Sequence, residues 1–143
     1  MSEKVIWDPL RRKNVPLTPE ERVRQWFISV MNRDLHIPLY MMMSEVGLKY
    51  GEGPVRKEFR ADIVAFDRRP GPAMVVECKR PDIRLGNEVL EQALRYNAVL
   101  DVRYIAITNG KETYFFHKGG AEGFKMMDRL PLYEDIISQK ETY

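Results

Sequence analysis

Ala61-Asp62-Ile63-Val64-Ala65-Phe66 and Ala73-Met74-Val75-Val76-Glu77-Cys78-Lys79 decide the fold. Both are apolar runs of strand length, and Arg68-Arg69-Pro70-Gly71-Pro72 between them reads as a tight connection. A connection this short joins neighbouring strands antiparallel, so the early part of the first lies opposite the late part of the second. Asp62 therefore falls near Glu77. Side chains alternate along a strand, which puts Glu77 and Lys79 on one face. Cys78 points the other way, toward the core, where a small thiol packs well.

Upstream, Glu45-Val46-Gly47-Leu48-Lys49-Tyr50 alternates as an edge strand and meets the turn Gly51-Glu52-Gly53-Pro54. Before it, Thr18-Pro19-Glu20-Glu21 starts a helix. Thr18 caps, Pro19 suits the first helical position, and Glu21 completes a capping box. Val23, Trp26, Phe27, Val30 and Met31 recur at helical spacing, and the helix is expected to end before Pro38. Residues 1–17, with Pro9 and Pro16, read as an irregular polar lead.

Downstream, residues 87–100 carry Val89, Leu90, Ala93, Leu94 and Asn97 at helical spacing. Residues 102–107 form an apolar strand, Asn109-Gly110 a turn, residues 113–117 a returning strand and residues 130–138 a short closing helix. The order is helix, three strands, helix, two strands, helix. One layered α/β domain over residues 18–143, with a mixed central sheet flanked by helices, fits it.

At 143 residues, 44% hydrophobic and 31% charged, the composition is that of an ordinary globular domain. No apolar run approaches the roughly 20 residues that cross a bilayer. The polar N-terminus lacks the apolar centre of a secretory signal, so the expected location is the cytoplasm, with no membrane partner. Cys78 is the only cysteine, which excludes an internal disulfide and a thiolate-rich zinc site. His36 and His117 show no ligand spacing. A net charge of +2 argues little for nucleic acid, although Arg56, Lys57, Arg60, Arg68, Arg69, Lys79, Arg80 and Arg84 crowd the middle of the chain. Met41-Met42-Met43, Trp7 and Trp26 read as packing residues.

Asp62, Glu77 and Lys79 interrupt otherwise apolar strands, and such charges are costly unless they neutralise one another or hold a metal. Paired carboxylates suit a hard cation such as Mg²⁺. That ion stabilises charge on a phosphate and acidifies a bound water, and a neighbouring lysine can position the water. On spacing alone, a surface ion-pair cluster on a sheet rim remains the other reading.

Asp62, fourteen residues and then Glu77-Cys78-Lys79 resembles the D…(D/E)-x-K signature of the restriction-endonuclease-like, PD-(D/E)XK nuclease superfamily, whose αβββαβ core has a similar element order. Thr18-Pro-Glu-Glu-Arg-Val-Arg-Gln25, Arg60-Ala-Asp-Ile-Val64, Val76-Glu-Cys-Lys79, Gln92-Ala-Leu-Arg-Tyr-Asn97 and Thr108-Asn-Gly110 resemble, in order, the N-terminal nuclease domain of the R subunit of type I restriction enzymes. The resemblance runs from about residue 8 to 118.

It implies a Mg²⁺-dependent DNA endonuclease, with Mn²⁺ substituting. Asp62, Glu77 and the Cys78 backbone carbonyl would hold the ion, and Lys79 would organise the attacking water. Gln92 and Tyr96 match a Gln-x-x-x-Tyr element on one helix face, touching the DNA backbone or supporting the metal site. Glu21 or Glu20 of the first helix would join them. Arg56, Lys57, Arg60 and Arg80 would contact phosphates, with Arg80-Pro81 a positive lip over the site. The partners implied are DNA and a specificity or motor subunit, and a homodimer is compatible. No Gly-x-x-x-x-Gly-Lys-Ser/Thr phosphate loop is present, so translocation driven by ATP is not expected of this chain. The competing readings are a catalytically inert nucleic-acid-binding or assembly module of the same fold, and a structural domain with a charged surface cluster.

Overall fold

A computed structural model describes residues 4–50, 53–55, 57–69, 71–91, 102–118 and 124–138. Gln92 and Tyr96, most of the helix expected at 87–100, and Arg56 lie outside the described residues.

The described part of the N-terminal lead, residues 4–17, is a hairpin rather than irregular. Strands β1 (Val5–Asp8) and β2 (Lys13–Pro16) form an antiparallel two-stranded hairpin. The prolines do not prevent it, because a strand of an isolated hairpin has an unpaired side on which a missing N–H costs nothing. Asp8 fixes the turn, accepting from the Leu10 N–H at 2.8 Å and pairing with Arg11.

Helix α1 (Pro19–Ser29) begins as expected, with Thr18 accepting from the Glu21 N–H at 3.1 Å. The reciprocal half of the capping box does not form, since the Glu21 carboxylate is drawn into ion pairs with Arg11 and Arg24. A π-helical turn, Val30–Asp34, carries the chain on, with Leu35 N bonding Val30 O at 3.1 Å. Val23, Phe27, Ile28 and Met31 are buried. Trp26 is 45% exposed and Trp7 57% exposed, so neither is the packing residue the pattern suggested. Trp26 lies just off the buried stripe, its ring tilted against that of Phe27.

The main sheet has six strands in the order β3 (Met42–Tyr50), β4 (Lys57–Phe66), β5 (Pro72–Cys78), β6 (Tyr104–Thr108), β7 (Thr113–Lys118) and β8 (Phe124–Met126). All neighbours are antiparallel except β5 and β6. A parallel pair needs a crossover, and that segment contains helix α2, described over residues 87–91. Helix α3 (Tyr133–Ser138) closes the chain. Strand β3 starts earlier than the alternation predicted, and β8 was not foreseen. Of the three methionines, Met42 is buried, Met41 packs at the core margin and Met43 is 55% exposed.

One core lies between the sheet and α1 with α3, built on Phe27, Met31, Ile63, Met74, Val76, Cys78 and Ile136. A second lies on the other face, where Leu85, Val89 and Leu90 cover Val64, Val75, Ile105 and Ile107. This sandwich explains the apolar strands: both faces of β5 and β6 are buried.

The β3–β4 ladder contains the irregularity that positions the site. Ser44 pairs with Ile63 and Val46 with Ala61, and no pairing joins Glu45 and Asp62 between them. Glu45 has φ +52, a left-handed conformation rare for a residue with a side chain. Phe59 and Ala61 lie in one core, yet Ile63 and Ala65 lie in the other. In a regular strand these alternate residues would share a face, so β4 rolls over at Asp62. Strand β3 does the same at Glu45, with Met42 on one side and Val46 and Leu48 on the other.

Candidate metal and phosphodiester site

Asp62, Glu77 and Lys79 converge as their spacing predicted. The β4–β5 register pairs Ile63 with Val76, which sets Asp62 opposite Glu77 at the next step. Asp62 Oδ2 accepts the Cys78 N–H at 2.7 Å, joining the middle of β4 to the end of β5. Lys79 Nζ lies 2.9 Å from Glu77 Oε1. Lys79 N donates to Thr108 O at 2.8 Å, so the backbone beyond β5 is still tied to β6. The Cys78 side chain is buried in the α1 core, and burial pushes its thiol well above the ordinary range, leaving it neutral and inert.

The electrostatics separate the members. Burial pushes the Asp62 carboxyl up to about 6, with Glu20 and Glu77 adding to the rise and the Cys78 N–H and Arg24 opposing it. Burial disfavours the Lys79 ammonium, but its hydrogen bond to Glu77 and the charges of Glu77, Asp62 and Glu20 outweigh that, so its pKa ends above the usual lysine value. Lys79 is a standing cation and not a base. Glu77 Oε2 is buried and has no hydrogen-bond partner. A carboxylate oxygen in that state is expensive, which is the condition a bound cation relieves.

Arg24 is the residue the sequence reading missed. Its guanidinium is almost wholly buried, with Nη2 contacting Asp62 Oδ1 at 3.2 Å and Glu20 Oε1 at 3.1 Å. Nη1 contacts Glu21 Oε1 at 2.9 Å and Glu45 Oε1 at 3.2 Å. The Glu20–Arg24 and Glu21–Arg24 spacings of a helix signalled those two pairs. Nothing local to Glu45 or Asp62 signalled the rest.

Glu21 is buried with both oxygens engaged, Oε1 by Arg11 and Arg24 and Oε2 by Gln25 at 2.9 Å. Glu20, half exposed and sharing Arg24 Nη2 with Asp62, is the first-helix acid that faces the triad. Arg11 ties the hairpin to this network through Asp8, Glu21 and Glu45. Among the basic residues, Lys57 is exposed, Arg60 reaches Glu45 at 3.8 Å, and Arg80 pairs with Asp82 at 3.1 Å. Asn109 braces the segment after Lys79: its Nδ2 donates to Ile83 O at 2.9 Å while its Oδ1 caps the β6–β7 turn.

No cluster of three or more His, Cys, Asp or Glu side chains among the described residues is placed to share an ion. A metal here would rest on two carboxylates, backbone carbonyl and water. That all-oxygen, water-rich set fits Mg²⁺, which keeps several waters and uses one or two carboxylates. It does not suit zinc.

Fold and residue pattern together define a mixed-sheet α/β domain with an acid in the middle of one central strand facing an acid and a lysine at the end of the next. The chain belongs to the family described as the type I restriction enzyme R protein N terminus, whose model matches residues 19–131. In fold it is similar to a solved fragment assigned as an HsdR subunit of a type I restriction enzyme from Vibrio vulnificus YJ016, with TM-score 0.61 and 20% identity. The similarity covers 84% of this chain and 24% of that one, so this chain spans about a quarter of that structure. No curated protein matches. No helix among the described residues is long and apolar enough to cross a membrane.

Proposed function

We propose that this domain hydrolyses DNA phosphodiester bonds as a metal-dependent endonuclease with the restriction-endonuclease-like αβββαβ core. The observation that carries the reading is Glu77 Oε2, a buried carboxylate oxygen without a partner, beside an Asp62 whose carboxyl burial raises to about 6. Two carboxylates are held where they repel each other and lack full compensation, an arrangement that a divalent cation relieves and an apolar core does not explain.

Asp62 and Glu77 hold Mg²⁺, with the Cys78 carbonyl as a third oxygen and Mn²⁺ able to substitute. When bound, the ion supplies Lewis-acid stabilisation of phosphate charge and acidifies a water. The chain's own part is positional. Lys79, kept protonated by Glu77, orients the attacking water and steadies the negative charge on the phosphate. The Cys78 N–H holds the Asp62 carboxylate in register with Glu77. By the family resemblance, Gln92 and Tyr96 are assigned to support of the metal or contact with DNA, and Arg56, Lys57, Arg60 and Arg80 to positioning the DNA backbone. Membership in an R-protein family supports DNA as substrate, with recognition supplied by a further subunit.

Supercoiled plasmid is incubated with the protein in Mg²⁺ or Mn²⁺, beside Asp62→Ala, Lys79→Ala and an EDTA control. Nicking by the unmodified chain alone supports the reading. Mg²⁺ binding that Asp62→Ala abolishes, without nicking, points to a subunit that cuts only in a complex. Neither binding nor nicking would leave an inert module of the same fold.

A further inference from the structure

Arg24 makes more charged contacts than folding asks of one arginine. Replacing a buried ion pair by apolar residues is often neutral or favourable, so a purely structural need would not gather Glu20, Glu21, Glu45 and Asp62 around one guanidinium. The four carboxylates come from α1, β3 and β4, so the planar fork spans three elements. One of them, Glu45, is held at φ +52 in mid-strand, across the gap in the ladder where Asp62 sits. A non-glycine residue in that conformation is strained by of order 1–3 kcal/mol, and persists only where its surroundings enforce it. The strained residue and the rolled strands both centre on Asp62.

The Asp62 carboxylate has two fixed donors on different elements. Cys78 N holds Oδ2 from β5 and Arg24 Nη2 holds Oδ1 from α1. Two donors on opposite oxygens fix the plane of a carboxylate as well as its place. The Cys78 donor is backbone and cannot vary; Arg24 is the adjustable half.

We propose that Arg24 is the positioning residue for Asp62, fixing the orientation of its carboxylate for a divalent cation, with Glu20, Glu21 and the backbone-strained Glu45 holding the guanidinium in place. This rests on the metal-site reading above. Groups that orient a ligating side chain are part of the metal site, and their loss weakens metal binding typically 10–100-fold. The geometric role is separable from charge by the choice of ion. Mg²⁺ demands near-ideal octahedral geometry, whereas Ca²⁺ accepts a variable number of oxygens in flexible arrangements.

Mg²⁺ and Ca²⁺ are titrated calorimetrically into the full chain, Asp62→Ala and Arg24→Lys. Lysine keeps the charge but cannot hold Asp62, Glu20, Glu21 and Glu45 with one planar fork. Arg24→Lys is expected to bind Mg²⁺ about 10–100-fold more weakly while Ca²⁺ changes by less than about 3-fold. Unchanged Mg²⁺ affinity in folded Arg24→Lys would overturn the proposal and leave the metal site standing. Equal losses for both ions would overturn it too, since geometry would not be the cause. If the unmodified chain binds neither ion, the metal reading itself falls and takes this one with it. Should Arg24→Lys fail to fold, Glu45→Gln loosens the same guanidinium from β3. The same Mg²⁺-selective loss is expected there, and its absence would overturn the proposal.

Discussion

Asp62→Asn is expected to stabilise the metal-free protein, and to do so more at high pH. The carboxyl rises from 3.8 to about 6 on folding, because burial outweighs its two donors. A carboxyl raised in this way binds its proton more tightly folded than unfolded, so stability is lost as pH climbs through that window. The full penalty at pH 8 is about 3 kcal/mol, and roughly half of it is already present at pH 5. Asparagine removes the charge and keeps an oxygen for the Cys78 N–H. Arg24 loses one partner but retains Glu20, Glu21 and Glu45, so no guanidinium is stranded. Part of the gain is offset by the lost Arg24 contact, which leaves a net stabilisation of about 1–2 kcal/mol at pH 8, or about 4–8 °C in Tm. Urea denaturation of both proteins in EDTA at pH 5 and pH 8 tests this. The advantage of Asp62→Asn should widen by about 1.5 kcal/mol between the two. Saturating Mg²⁺ should then stabilise the unmodified chain alone, reversing the order. A gap that is constant with pH, or one that narrows, would refute the desolvated-carboxylate account of the site.

Metal affinity should also depend on pH, falling about tenfold per unit below about 6 as Asp62 takes up a proton, and levelling off above 7. Calorimetry at pH 5 and 7.5 reads this. Gly110→Ala should lower stability by about 1–2 kcal/mol, because Gly110 has φ +88 and an added Cβ would lie 3.3 Å from Val23 Cγ2; thermal melting checks it. Asn109→Ala removes the brace on Ile83 and the cap of the β6–β7 turn. A loss of about 1–3 kcal/mol in urea is expected, with a drop in any nicking activity as the segment after Lys79 loosens.

The acid pair was legible because its chemistry contradicts its surroundings. Charged residues two apart at the end of an apolar strand, and an acid in the strand before it, survive any shift of element boundaries by a residue or two. Period-two alternation then fixed that Glu77 and Lys79 share a side and that Cys78 does not. The antiparallel pairing of β4 with β5 was equally accessible, since so short a connection permits little else, whereas the parallel placement of β6 beside β5 and the edge strand β8 emerged only in the structure. The hairpin of residues 5–16 was missed because four-residue strands with one buried position each carry almost no periodic signal. Their order comes from the Asp8–Arg11 turn and the tie of Arg11 to Glu21.

Sequence alone therefore determined that Asp62, Glu77 and Lys79 lie together, because local periodicity and short connections act over few residues, whereas Arg24 and Glu45 join them only through the tertiary fold. Only the tertiary structure decided how that site is charged. The roll of β3 and β4 at Glu45 and Asp62 exchanges faces that alternation alone would keep, and it brings Asp62 under a guanidinium 38 residues earlier in the chain. Burial, the quantity that lifts the Asp62 carboxyl and leaves Glu77 Oε2 without a partner, is a property of packing between distant segments. No window of neighbouring residues contains it.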